Sequence, residues 1–237
     1  MITGMPSRLA LFVLLAVASN ARAEGLAELL GAVAANARFD VPSRADVRIT
    51  HGATASRAVV LGRGRVVYFE VKDGVRALIH PGKAVIESRG HATPAVMGLA
   101  LPATDLLLED LGVFSATTLR TPLVSDDSPA GVVVTGEPAY PSAYALLVYT
   151  IDRGRHAIVR TQYYQGTTSN LVKVRRDAEL SQLGGRWRPA EVTVENLPDG
   201  TSTQLRLVWR AAPDAPASVF TPAGLRGPSH VEWPPDS

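Results

Sequence analysis

The sequence predicts a mainly β fold with one helix at its start and a second, short helix in its middle. From Arg44 onward most segments alternate apolar and polar residues with the period of two that β-strands show. Short turn compositions separate these segments, and Asp73-Gly74 between two alternating runs is a strong hairpin signal. Two leucine-rich segments follow helical spacing instead. We therefore expect about eleven antiparallel strands and two helices.

The predicted strands form two groups on either side of the central helix. They lie at 44–50, 56–61, 65–72, 75–80 and 84–88, and then at 131–138, 144–151, 156–165, 170–176, 189–196 and 201–210. The polar, proline-bearing stretch 117–131 between the groups is interpreted as a loop.

Strand 65–72 shows how the two faces of the sheet are expected to differ. Val67 and Phe69 fall on one face, and Tyr68 and Glu70 fall on the other. This pattern predicts one dry and one wet face, as in a curved sheet or an open barrel.

The two helices are predicted from apolar spacing. The first covers 23–39, where the leucines recur at helical intervals without proline. The second lies within 101–114 and begins near Thr104 or Asp105, both of which are good N-cap residues. Glu109 and Asp110 are expected to face solvent.

The first 23 residues are typical of a secretory signal peptide. Arg8 supplies the positive charge, residues 9–18 are an apolar run, and Ala21-Arg-Ala23 is a small-x-small cleavage site. We predict cleavage after Ala23, export to the periplasm and a single domain at 24–237 that ends in a proline-rich tail. With no cysteine in the chain, the fold must be stable without disulfides.

Charge gives no support for a nucleic-acid partner. The chain has 24 basic and 22 acidic side chains, and two of the basic ones, Arg8 and Arg22, lie in the predicted signal peptide. The remaining chain is therefore balanced at 22 of each sign, unlike a nucleic-acid-binding domain with a strong basic excess. We expect a monomer.

No arrangement of residues predicts catalysis, a metal site or a cofactor. The five histidines are scattered without the spacing of metal ligands. Ser125-Asp-Asp-Ser128 lacks the context of an activated nucleophile, so an exported hydrolase is disfavoured. We expect that the protein is not an enzyme.

Several motifs in the second half resemble a known family. They are Tyr163-Tyr164 before a glycine-bearing turn, Trp187-x-Pro189, the hairpin with Asn196, Gly200 and Thr203, and the closing Phe220-Thr221-x-x-x-Leu225. Together with Asp110-Leu111 they are similar to the LolA-like outer-membrane lipoprotein-sorting proteins, over residues 100 to 227. The resemblance implies an incomplete antiparallel β-barrel whose mouth is covered by helices, with a hydrophobic cavity between them.

The resemblance also implies a function. It indicates a periplasmic carrier for acylated lipoproteins or lipids, which receives cargo from an inner-membrane transporter and passes it to an outer-membrane acceptor. The alternative is a non-transporting interaction or sensor module of the same fold that binds a membrane protein.

Candidate site residues follow from the dry faces and the central helix. We predict that the acyl-chain cavity is lined by Val67, Phe69, Val192, Val194, Leu205, Leu207 and Trp209. Leu107, Leu111 and Phe114 are predicted to form a lid over it, since positions i, i+4 and i+7 share one helix face. A plain core helix with the same apolar stripe remains open.

Overall fold

The computed structural model of the protein describes residues 25–128, 131–229 and 231–233. The predicted signal peptide at 1–23 lies outside this part of the chain.

Helix α1 covers residues 25–37, and helix α2 is Pro222–Arg226. The strands are β1 Phe39–His51, β2 Thr54–Gly64, β3 Val66–Val71, β4 Arg76–His80, β5 Lys83–Ser88, β6 His91–Ala95, β7 Leu119–Ser128, β8 Gly131–Pro138, β9 Leu146–Asp152, β10 Ala157–Tyr164, β11 Leu171–Leu183, β12 Arg186–Asn196 and β13 Thr201–Ala211.

All strands in the described part of the chain belong to one antiparallel sheet. Its order is β6-β5-β4-β3-β2-β1-β13-β12-β11-β10-β9-β8-β7, so each half of the chain forms a meander and β1 joins the halves by pairing with β13. Strands β6 and β7 are the two edges, and the sheet does not close. This confirms the predicted incomplete barrel.

The sheet has thirteen strands where about eleven were expected, and the two extra strands are the edges. Strand β6 contains Pro94, strand β7 contains Pro122, and most of their side chains are exposed. Edge strands tolerate proline and polar residues because one side of their backbone makes no ladder hydrogen bonds. The interpretation of 117–131 as a loop was therefore wrong for Leu119–Ser128.

The inner face of the sheet carries the main hydrophobic core. This face includes Ala45, Val47 and Ile49 of β1, which are at most 4% exposed. They share one cluster with apolar side chains of residues 96–118, the central segment between β6 and β7. The central segment therefore covers the inner face of the sheet.

The outer face is also partly covered, which the sequence pattern did not predict. Tyr68 and Glu70 are almost fully buried, and the Tyr68 hydroxyl donates a hydrogen bond to Glu70. Val219 and Leu225 of the C-terminal segment, residues 212–229 and 231–233, pack into the same cluster as Tyr68. The expectation of one wet face is corrected here, because the proline-rich tail folds back over β2 to β5.

The central helix is shorter than predicted. Within the predicted range 101–114, only Leu108–Leu111 is helical, as a single 3₁₀ turn. Its N-cap is Leu107, so neither Thr104 nor Asp105 caps it. Residues 102–105 form a turn in which Ala103 has a φ of +55°, and a bridge between Ala100 and Leu107 closes it. Leu107 itself is extended where it enters the 3₁₀ turn, so the segment lacks helical periodicity.

We predict that the C-terminal segment contributes to global stability. Leu225 is fully buried, so Leu225→Ala should lower the free energy of unfolding by about 2–5 kcal/mol. Leu197 is 44% exposed, and the matched change Leu197→Ala should cost less than about 1 kcal/mol. Urea unfolding followed by circular dichroism measures both. Equal losses would show that the segment is not packed as described.

Candidate ligand-binding cavity

A cavity of about 230 Å³ lies between the inner face of the sheet, α1 and the central segment. Helix α1 contributes Val33, and the sheet contributes apolar side chains from several strands on both sides of the β1–β13 junction. The cavity exists because the central segment bridges the open inner face while leaving space beneath it.

The structure brings most of the predicted cavity residues together. Those that line the cavity are Val67, Val192, Leu205, Leu207 and Trp209. Phe69 and Val194 do not line it; both are fully buried in the surrounding core. Of the predicted lid, Leu111 and Phe114 line the cavity, whereas Leu107 does not. Leu107 packs against the cluster of Leu119, Tyr144, Leu147 and Tyr163.

The most deeply buried apolar residues of the central segment are Leu106 and Leu108, at 1% and 0% exposure. They alternate with Leu107 because the chain enters the 3₁₀ turn in an extended conformation. The predicted stripe of 107, 111 and 114 is therefore not a single face. Whether the segment opens as a lid stays a prediction.

A buried ion pair fastens the central segment to β11. The Nζ atom of Lys173 donates to Oδ2 of Asp110 at 2.8 Å, and the two side chains are 8% and 0% exposed. The same oxygen accepts the backbone N–H of Leu107 at 2.7 Å, which closes the 3₁₀ turn. The ammonium also lies over the rings of Tyr144 and Tyr163, at 5.4 and 5.6 Å from their centroids. Asp110 was expected to face solvent, and this is corrected: it is the internal anchor of the segment.

Arg175 adds a second attachment at the same place. Its guanidinium donates to the backbone carbonyl of Asp110 and forms a two-pronged ion pair with Asp177, at 2.6 and 2.8 Å. Both side chains line the cavity. A paired guanidinium of this kind has its charge largely neutralised within the wall.

Glu109 also turns inward, contrary to the expectation that it faces solvent. Its carboxylate accepts hydrogen bonds from Ser142 Oγ at 2.6 Å and Tyr140 Oη at 3.2 Å. Burial raises the pKa of the Glu109 carboxyl above its usual range, and these hydrogen bonds oppose that rise. Glu109 therefore ties the central segment to the β8–β9 connection.

Asp105 attaches the segment at a third place, on β13. It accepts hydrogen bonds from the hydroxyls of Thr201 at 2.6 Å and Thr203 at 3.0 Å, and its own N–H donates to Thr203 at 2.8 Å. Instead of capping a helix, Asp105 pins the start of the segment. The central segment is thus held at three separate places.

The end of the cavity beneath α1 has different chemistry. Arg188 of β12 is only 5% exposed and lines the cavity. Its guanidinium donates to the backbone carbonyls of Asn36 and Arg38, both at 2.6 Å, and lies 4.5 Å from the centroid of the Phe39 ring. Carbonyls at a helix C-terminus carry partial negative charge, so the cation is well placed to cap α1.

The arrangement is suited to binding rather than to catalysis or metal coordination. Among the described residues, no group of three or more His, Asp or Glu is placed to hold a metal ion. In the same part of the chain, no helix is long and apolar enough to cross a membrane. The cavity offers apolar area with charged groups at its ends. Sequence reasoning placed Glu109 and Asp110 on the solvent face of an amphipathic helix, and it did not single out Arg188 on β12.

Solved structures with this architecture define the fold as LolA-like. A domain from Vibrio parahaemolyticus described as an outer membrane lipoprotein-sorting protein domain aligns with a TM-score of 0.70 and 17% identity, over 84% of this chain and 97% of that one. A DUF1329 family protein from Desulfovibrio piger gives 0.67 and 14%, over 84% and 98%. A LolA superfamily protein from Nitrosomonas europaea gives 0.65 and 14%, over 82% and 96%. The predicted resemblance is confirmed at the level of fold.

A family model assigns the chain more narrowly. The model, whose family is described as "Uncharacterized protein", matches residues 90–227, more than half of the chain, and the chain belongs to this family. No curated protein matches the sequence. None of the structural comparisons indicates a catalytic family.

We predict that removing one partner of the buried Asp110–Lys173 pair is strongly destabilising. Lys173→Met leaves Asp110 buried without a cation, which should cost about 3–5 kcal/mol in urea unfolding. Adding Asp110→Asn should restore much of this loss, because the uncompensated charge is gone. Arg153→Met removes the exposed pair with Asp127 and should cost less than about 1 kcal/mol. A double variant no more stable than Lys173→Met would contradict this account.

Proposed function

We propose that the protein is a periplasmic carrier that binds the acyl chains of lipoproteins or lipids in the inner cavity and delivers them toward the outer membrane. The observation that carries this proposal is the cavity beneath the central segment, lined by apolar side chains of the sheet and by Leu111 and Phe114. The LolA-like fold and the predicted signal peptide support the periplasmic location.

The binding free energy for such a ligand comes from the burial of apolar surface area alone. Burying one methylene is worth about 0.8 kcal/mol, so a sixteen-carbon chain gains on the order of 12 kcal/mol on leaving water. A membrane interior offers nearly the same gain per methylene. Transfer between carrier and membrane is therefore close to balanced, and contacts at a docked partner can set its direction.

The cavity must enlarge to accept a whole acyl chain. At about 230 Å³ it is smaller than the 300–1,000 Å³ of most small-molecule sites. The central segment is the part of the wall that is fastened by side chains instead of by a strand ladder, through Asp105, Glu109 and Asp110. We infer that this segment moves outward on loading and returns when the cavity empties.

A closed empty state has a physical purpose in this scheme. Contiguous apolar patches of more than a few hundred Å² are uncommon on soluble monomers, because they promote association. When no cargo is bound, Leu106 and Leu108 fill the space over the inner face. The segment thereby keeps the unloaded carrier soluble.

We predict that Leu111 and Leu107 differ in their effect on ligand binding. Both side chains are half-buried in the same segment, but only Leu111 lines the cavity. Leu111→Asn places an amide against the acyl chain and should weaken binding of a fluorescent fatty acid about tenfold or more. Leu107→Asn should change the affinity less than about twofold. Fluorescence titration measures both.

Urea unfolding of both variants is the control. If both variants lose the same free energy of unfolding, a difference in their affinity for the fatty acid is due to the contact with the cavity. Wild-type protein that binds no fatty acid at all would overturn the carrier proposal and favour a non-transporting module. Equal weakening by both substitutions would place the ligand elsewhere.

A further inference from the structure

We propose that Arg188 and His156 form a head-group site, which binds the anionic group of an amphiphile whose tail occupies the cavity. This inference rests on the proposed function and adds to it the chemical class of the cargo: a single- or multi-chain amphiphile with a carboxylate or phosphate head. It also assigns the orientation of the cargo, with its head at Arg188 and His156 and its tail in the cavity.

The register of β11 and β12 shows that the cavity has two separate ends. Asp110 contacts Lys173 near the start of β11, whereas Arg188 on β12 is opposite Ser181, eight residues further along β11. At about 3.3 Å per residue, these positions are about 26 Å apart. An elongated ligand can therefore place its head at one end and its tail at the other.

The two ends differ in available charge. At the end closed by the central segment, Glu109 and Asp110 line the cavity, and Lys173 neutralises Asp110. At the other end, Arg188 and His156 line it. Arg175 also lines the cavity near the first end, but Asp177 pairs with it, so the cations there are compensated. An anionic head is therefore attracted to the second end, and this orients the ligand.

Arg188 is a buried cation without an ionic partner in the described part of the chain. Its hydrogen bonds go to backbone carbonyls, and its Nε atom has no hydrogen-bond partner. Desolvation lowers the pKa of Arg188 to about 10, chiefly because burial disfavours its charge. Removing a charge from water is costly unless an opposite charge compensates it. A ligand anion at this wall would supply that compensation.

The rim beside Arg188 has further groups suited to a polar head. His156 lies exposed at the mouth and lines the cavity. The neighbouring Trp187 also lines it, and its backbone N–H donates to Oδ1 of Asn36 at 2.9 Å. The Arg155 guanidinium, which is paired with Asp152 at 2.8 Å, lies 5.1 Å from the centroid of the Trp187 ring. An amphipathic tryptophan and an exposed histidine that can donate a hydrogen bond are suited to a phosphate or carboxylate head at a lipid interface.

The experiment compares ligands that share a tail and differ in the head. Dodecanoate, dodecyl phosphate and dodecanol are each used at pH 8 to displace a fluorescent probe from wild-type protein. A charge-assisted hydrogen bond predicts that one or both anions bind at least about tenfold more tightly than the alcohol. The two anions distinguish a free fatty acid from a phospholipid-like head.

Three variants locate the preference. Arg188→Gln and His156→Gln should each reduce the ratio of anion affinity to alcohol affinity by about threefold to tenfold. The matched control is Arg160, which is exposed on β10. Its register partners are Arg176 on β11 and Thr150 on β9. Arg160→Gln should leave the ratio unchanged.

The outcomes separate this inference from the carrier proposal. If wild type binds dodecanol as tightly as both anions, the head-group site is overturned while the carrier proposal stands. If no dodecyl ligand binds, the carrier proposal itself fails. If Arg188→Gln does not fold, the ratio of anion affinity to alcohol affinity in wild type and in His156→Gln still tests the site. An unchanged ratio in His156→Gln together with a lost ratio in Arg160→Gln would also overturn the site.

Discussion

The buried ion pair between Asp110 and Lys173 is the constraint on which the closed structure depends. Two opposite charges taken out of water need each other and further hydrogen bonds, because either one alone would cost several kcal/mol. Here the pair joins residues 63 positions apart and holds a one-turn 3₁₀ helix against β11. A segment too short to form a stable helix by itself is thereby given one defined position.

This anchoring explains how an open sheet can enclose a cavity. The sheet leaves its edges β6 and β7 unpaired, so the inner face would be exposed without the chain that connects them. The central segment covers it with Leu106 and Leu108, while its attachments are polar and discrete. In the proposed carrier, these apolar contacts are exchanged for an acyl chain at little net cost, and the polar anchors set how easily the segment moves.

Much of the fold was predictable from the sequence, because eleven strands show period-two patterning and glycine-rich turns. The edges were missed since Pro94 and Pro122 suggest loops, and only the sheet's topology shows that they lie where proline is tolerated. Five of the predicted dry-face residues, Val67, Val192, Leu205, Leu207 and Trp209, line the cavity because the dry face of the curved sheet forms its wall.

The charged parts of the site could not be predicted in the same way. Asp110 and Lys173 are distant in sequence, and each is typical of a solvated surface when viewed alone. Arg188 stands next to Trp187 at a strand entry, and its contact with α1 depends on how the helix crosses the sheet. A period-two pattern indicates which face of a strand is apolar, but it does not specify which side chains from distant parts of the sequence come into contact.

Native mass spectrometry of the protein isolated from its own cells tests the central claim most directly. The account predicts a fraction that carries an added mass equal to an acylated species, which is lost on delipidation and regained with added fatty acid. A mass that always equals the polypeptide alone, before and after exposure to acyl ligands, would contradict it.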